Sequence, residues 1–123
     1  MVASADIADE EQMREVITRA YDRFGEIHGV IHAAGVAGGG MIQLKTREKA
    51  EEVLAPKLRG LLVLDTIFKD VKLDFIVLCS SLTSILGDFG QVDYCAANAF
   101  LDAFAHCQTS KNHPFILSIN WDT

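Results

Sequence analysis

Positive charge is scarce in this 123-residue chain: 11 Lys and Arg stand against 17 Asp and Glu, a formal charge of −6. That balance argues against a nucleic-acid or anionic-membrane surface, and no basic stripe offsets it. Long apolar runs are missing as well. None approaches the roughly 18 residues that cross a bilayer, and the opening MVASADIADEEQ has neither the basic nor the apolar region of a signal peptide, so a cytoplasmic chain is expected. Cysteine is sparse: Cys79, Cys95 and Cys107 form no CxxC or Cys/His cluster, which excludes a disulfide framework and a zinc site as readings. No G-x-G-x-x-G phosphate-binding turn occurs anywhere. What is there is apolar material: half of the residues are hydrophobic and 23% are charged, enough for one globular core and too much for a disordered tail.

The order of elements follows from spacing. Residues 2–7 (VASADI) read as a strand end. Asp9 then stands three residues before Gln12, a capping-box arrangement that starts a helix. Met13, Val16, Ile17, Ala20 and Phe24 recur on one face of it until Gly25 stops it. Ile27 to Ala34 (IHGVIHAA) is apolar without polar alternation, as in a parallel strand buried on both faces. Gly38-Gly39-Gly40 is loop, and Thr46 caps a helical stretch to about Leu54. Pro56 predicts a break there, with a second helical segment running from it to about Phe68. Leu73–Ser80 reads as a second buried strand, Val92 to about Thr109 as a helix, and Phe115–Ile119 as a further strand. The sum is βαβαβαβ, a Rossmann-like doubly wound parallel α/β sheet, in one domain over residues 1–123.

In open α/β sheets ligands bind beyond the C-terminal ends of the strands. Those positions hold His32-Ala33-Ala34-Gly35, Ser80-Ser81 and Asn120-Trp121. Small residues at 33–35 would let a cofactor approach the backbone, or simply pack a tight strand-to-loop turn. Tyr94 and Asn98 share one helical face, which should look towards Ser81. A hydroxyl, a phenol and an amide on one crevice can orient a carbonyl and hand it a proton if a cation makes the phenol acidic. Lys57 is the candidate cation. Taken singly, each has a duller explanation: a core tyrosine, a serine cap, a solvated lysine. A Ser-His-Asp hydrolase on Ser81 is the poorest reading, because there is no G-x-S-x-G elbow and neither His106 nor His113 has a triad role.

Over nearly its whole length the chain resembles the ketoreductase domain of modular polyketide synthases, within the short-chain dehydrogenase/reductase superfamily. The likeness is carried by ADIAD, RFGEIHGVIHAAGV, APKLRG, CSSLTSILGDFGQVDYCAANAFLDAFA and SINWDT. In most of that superfamily lysine follows the active tyrosine by four positions; in these ketoreductases asparagine stands there and the lysine comes from an earlier helix. Here Asn98 follows Tyr94 by four, Ser81 precedes Tyr94 by thirteen and Lys57 precedes Ser81 by twenty-four. The resemblance implies that Tyr94 protonates the substrate oxygen as hydride arrives from NADPH, and that Ser81 hydrogen-bonds that oxygen. It makes Lys57 the partner of the phenol and of the nicotinamide ribose, and Asn98 the holder of a relay water. It also implies that Asp6 and Ile7 flank the adenine and that Ala33, Ala34 and Gly35 line the adenosine side. The substrate implied is a β-ketoacyl thioester on an acyl carrier protein.

Two departures touch stereochemistry: Ala37, Gly38 and Gly39 stand where one class has Leu-Asp-Asp, and Leu86 stands where the other has Trp. A third is larger. Without the glycine-rich first βαβ the chain corresponds to strands 3–6 of the family fold, and it stops at Thr123 before the last strand and the lid. NADPH and substrate should therefore be held poorly by the chain alone. The IHGVIHA strand should be left as an uncovered apolar edge, open to the missing N-terminal half of a ketoreductase or to another copy in a swapped dimer. Two functions stand side by side: the catalytic part of an NADPH-dependent β-ketoacyl reductase, or an inactive fragment serving as an association module.

Overall fold

In the computed structural model, which describes residues 1–108 and 114–122, the first helix α1 spans Glu10–Phe24. The Asp9 carboxylate accepts the Gln12 backbone N–H at 3.0 Å, and its other oxygen accepts from the Gln12 side chain at 2.9 Å. Gly25, at φ 83°, ends the helix by donating its N–H to the Tyr21 carbonyl. Strand β1 is Gly29–His32, and a single turn of 3-10 helix at Ile42–Leu44 interrupts the loop that follows. The remaining elements are α2 (Arg47–Phe68), β2 (Phe75–Ser81), the short α3 (Thr83–Leu86), α4 (Val92–Gln108) and β3 (Phe115–Trp121). The predicted end of the last helix at Thr109, and His113, lie outside the described residues.

The three strands form a parallel sheet in the order β1-β2-β3, with Gly29 level with Phe75 and Phe115, and Ile31 level with Val77 and Leu117. That register assigns each side chain to a face. Val30, Ile76, Leu78 and Ile116 point to the helices and join Ile17, Leu61, Leu64, Phe68 and Leu101 in one core. Leu61, Leu78 and Leu101 are essentially sealed, each such side chain contributing about 2 kcal/mol by leaving water. Among the described residues all three long helices pack on this face. On the other, Ile31, Phe75, Phe115 and Leu117 are 66%, 38%, 66% and 41% exposed.

Four expectations are corrected. Residues 2–7 are not a strand: they pair with no strand among the described residues and run into a turn where the Asp6 carbonyl accepts the Asp9 N–H. β1 is not buried on both faces, because no helix among the described residues covers Ile31. The helix does not break at Pro56; α2 is continuous for 22 residues. Proline removes the N–H that would reach the Glu52 carbonyl, but Glu52 is exposed to water and the buried stripe Val53, Lys57, Gly60, Leu61, Leu64 holds the helix across the defect. Lys57 consequently sits mid-helix, not at the start of a segment of its own.

Candidate active site

A cavity of about 460 Å³ opens beyond the C-terminal ends of the strands, lined by Ala33, Gly35 and the following loop, by Lys57, Cys79 and Ser80, and by Gln91, Tyr94 and Trp121. Lys57 comes to it from the buried face of α2. Its ammonium donates to the Cys79 carbonyl at 2.7 Å and lies 5.9 Å from the centroid of the Tyr94 ring. Burial pushes the Lys57 pKa down from its ordinary value, while Cys79 and the Asp102 carboxylate pull it back up. Gly35 is where the close approach happens: a Cβ there would sit 3.1 Å from Lys57 Cε, so a side chain at this position would crowd the lysine.

The other expected residues surround this pair without all entering the cavity. Ser81 ends β2, buried, and its hydroxyl oxygen accepts the Thr83 N–H at 3.3 Å and the Thr83 hydroxyl at 3.1 Å. With both acceptor directions used, its own proton is free to point outward. Asn98 lies one turn below Tyr94 and fully buried; its amide donates to the Tyr94 carbonyl at 2.9 Å, and its backbone carbonyl accepts the Ser80 hydroxyl at 3.2 Å. Asn98 Oδ1 has no protein partner among the described residues. Ala33 and Gly35 line the cavity and Ala34 does not. Asp6 is exposed, its carboxylate accepting the Ala8 N–H, and Ile7 packs on Gly60 of α2 beside the core.

Several contributors carry no signal in spacing. The Cys79 carbonyl acts through its backbone, which side-chain identity does not report. Asp102 accepts the hydroxyls of Ser84 and Ser118, each at 2.5 Å, and the Asn120 amide at 3.2 Å, and so ties α3, α4 and β3 together below the cavity. Thr83 was legible in principle, since Ser-x-Thr at the end of a strand is a hydroxyl-capped turn. His32, 2% exposed on the helical side of β1, has neither ring nitrogen hydrogen-bonded in good geometry. Burial and the charge of Lys57 hold its pKa down at about 4, opposed only by the Pro56 carbonyl. Of the cysteines, Cys79 and Cys95 are half-buried and Cys107 is exposed, and none is in a disulfide. No group of metal-binding residues exists among those described, and no described helix is long and apolar enough to cross a membrane.

A parallel sheet whose strands end on a cleft holding a lysine and a tyrosine defines a Rossmann-like α/β protein. The KR domain model matches residues 1–123, and the chain belongs to that family, the ketoreductase domains of polyketide synthases. It is 37% identical over 121 residues to polyketide synthase PksN of Bacillus subtilis, covering 94% of this chain and 2% of that protein. To polyketide synthase PksM of the same organism it is 39% identical over 121 residues, covering 98% of this chain and 3% of the other. Among solved structures, an N-terminal ketoreductase from the macrolactin assembly line superposes with a TM-score of 0.92 at 39% identity, covering 98% of this chain and 25% of that one. The chain therefore spans a small part of the length of each of these relatives.

Proposed function

We propose that this chain is part of a ketoreductase domain and carries the proton-donating wall of an NADPH-dependent β-ketoacyl reductase acting on a thioester tethered to an acyl carrier protein. The carrying observation is that Lys57 and Tyr94, from two different helices, meet in one cavity with the cation 5.9 Å from the ring centroid. The reading draws further support from relatives that are polyketide synthases and from a matching structure that is a ketoreductase.

Reduction adds a hydride to the carbonyl carbon and a proton to its oxygen. NADPH, when bound, supplies the hydride. When Tyr94 gives up its proton a negative charge is left on the phenol oxygen, and the Lys57 ammonium, 5.9 Å from the ring centroid, is the cation that faces it. The Cys79 carbonyl fixes that ammonium, Ser81 donates a hydrogen bond to the developing alkoxide and keeps its proton, and Tyr94 delivers the single proton that the oxygen takes up. Asn98 Oδ1, buried and unpartnered, is an acceptor suited to a water that returns a proton to Tyr94. The residues present fit the nicotinamide-ribose end of the cofactor, with Lys57 and Tyr94 facing a wall kept small at Ala33 and Gly35; Ala34, outside that lining, is proposed for the adenosine side on the family resemblance alone. No described segment offers the glycine-rich turn that holds a pyrophosphate, so Asp6 and Ile7 are assigned to the adenine side in company with a separate half of the domain.

The test uses the reductase reassembled from this chain and a glycine-rich ketoreductase half. Groups that act as one unit lose activity non-additively. Tyr94→Phe and Lys57→Met are each expected to lower kcat at least ~100-fold, and the double variant little further. Losses that multiply, or turnover insensitive to Tyr94→Phe, would show that Lys57 and Tyr94 do not act together.

A further inference from the structure

The loop between β1 and α2 carries Gly35, Gly38, Gly39 and Gly40, a composition that costs much conformational freedom to order. It is nonetheless pinned to the start of α4. A Cβ at Gly38 would lie 2.7 Å from Asp93 Oδ1, 2.7 Å from Gln91 Oε1 and 2.9 Å from Tyr94 Cβ, so only glycine lets the strap run this close. From the far end of the strap Lys45 reaches back, its ammonium donating to Asp93 Oδ2 at 2.6 Å and to the Gly39 carbonyl at 2.8 Å. The other Asp93 oxygen accepts the backbone N–H of Tyr94 at 2.9 Å. One carboxylate thus holds both the strap and the residue that presents the phenol.

The two side chains are 7% and 2% exposed. Exposed ion pairs contribute little, but deleting one partner of a buried pair strands the other's charge in a low-dielectric interior. Val36, Ala37 and Gly38, on the near half of the same strap, line the cavity that Tyr94 enters. We infer that the Lys45–Asp93 bridge is a latch that holds the glycine-rich strap as the wall against which the acyl thioester binds, making Lys45 and Asp93 positioning residues for the substrate. This rests on the reductase reading above. The Lys45 ammonium bonds to Gly39 and Asp93, whereas Lys57 is held separately by the Cys79 carbonyl and Tyr94 keeps its own bond to the second Asp93 oxygen, so opening the latch is expected to act on binding of the thioester more than on proton transfer.

Two measurements test it. In the chain as it stands, hydrogen exchange reads the Leu44 and Lys45 amides, which donate to the Met41 and Ile42 carbonyls. Lys45→Met should speed their exchange about tenfold or more while the β2 amides Ile76 to Ser80 are unchanged, and Lys45→Arg should restore protection. If Lys45→Met does not fold, Lys45→Gln, which keeps a neutral donor, is expected to show the same acceleration. Unchanged exchange at these two amides overturns the latch. In the reassembled reductase, Lys45→Met should raise KM for the thioester about tenfold with kcat within about threefold, and Lys45→Arg should recover most of it. A fall in kcat at unchanged KM overturns the positioning role. A wild-type assembly with no turnover at all counts against the reductase reading, and the exchange measurement still decides the latch.

Discussion

His32 shows how far a single residue can depart from what its neighbours in sequence suggest. Next to Ala33, Ala34 and Gly35 it looks like part of a small-residue turn, yet it is sealed under Lys57 with its pKa held at about 4 against an ordinary 6.5. The unfolded chain takes up a proton as the pH falls through 6.5, and the folded chain only near 4, so the unfolded state binds more protons throughout that window. The stability conferred by a neutral His32 is therefore complete above pH 6.5 and is lost as the pH falls towards 4, a loss of about 3 kcal/mol. Urea unfolding across this range should be steeply pH-dependent in the wild-type chain and flatter in His32→Leu. Parallel curves for the two proteins would remove His32 from the account. Burial lowers the Lys57 pKa as well, but its ammonium donates to the Cys79 carbonyl at 2.7 Å, a bond that favours its charged form.

The elements that could be read from the sequence are those whose signals are local. α1 is bounded by its Asp9 cap and by Gly25, both set by residues within one turn of each end. Tyr94 and Asn98 share a face because helical spacing requires it, and the Asn98 amide reaches the Tyr94 carbonyl one turn away. What failed locally was decided by tertiary partners. VASADI has strand-like composition and no strand beside it among the described residues, and a parallel strand exists only by pairing. Pro56 carries a helix-breaking signal that the buried stripe of α2 overrides. The strap was legible as loop from its glycines, but the Lys45–Asp93 bridge joins residues 48 apart, a distance at which no motif operates. If Pro56 is tolerated and not required, Pro56→Ala should restore the missing helical hydrogen bond and raise stability by up to about 3 kcal/mol in chemical denaturation. A loss of stability would instead mean that α2 needs the packing of the proline ring.

For the whole molecule the governing feature is asymmetry: one sheet face is packed under α1, α2 and α4, and the other presents Ile31, Phe75, Phe115 and Leu117 to solvent. A contiguous apolar surface of this kind marks an interaction face, and β1, at the edge of the sheet, adds a row of backbone groups with no strand beyond them among the described residues. That combination keeps alive the alternative of a fragment that associates without catalysis, since an interaction face needs no intact cleft. It equally suits a domain whose remaining layers come from elsewhere, and the Lys57–Tyr94 cavity favours this second description, because association alone gives no reason to bury an ammonium beside a phenol. The most direct measurement is the oxidation of NADPH by a β-ketoacyl thioester when this chain is mixed with a glycine-rich ketoreductase half. Neither piece alone should turn over and the mixture should, yielding the β-hydroxyacyl product. A mixture that forms a stable complex yet leaves NADPH unoxidised would contradict the account.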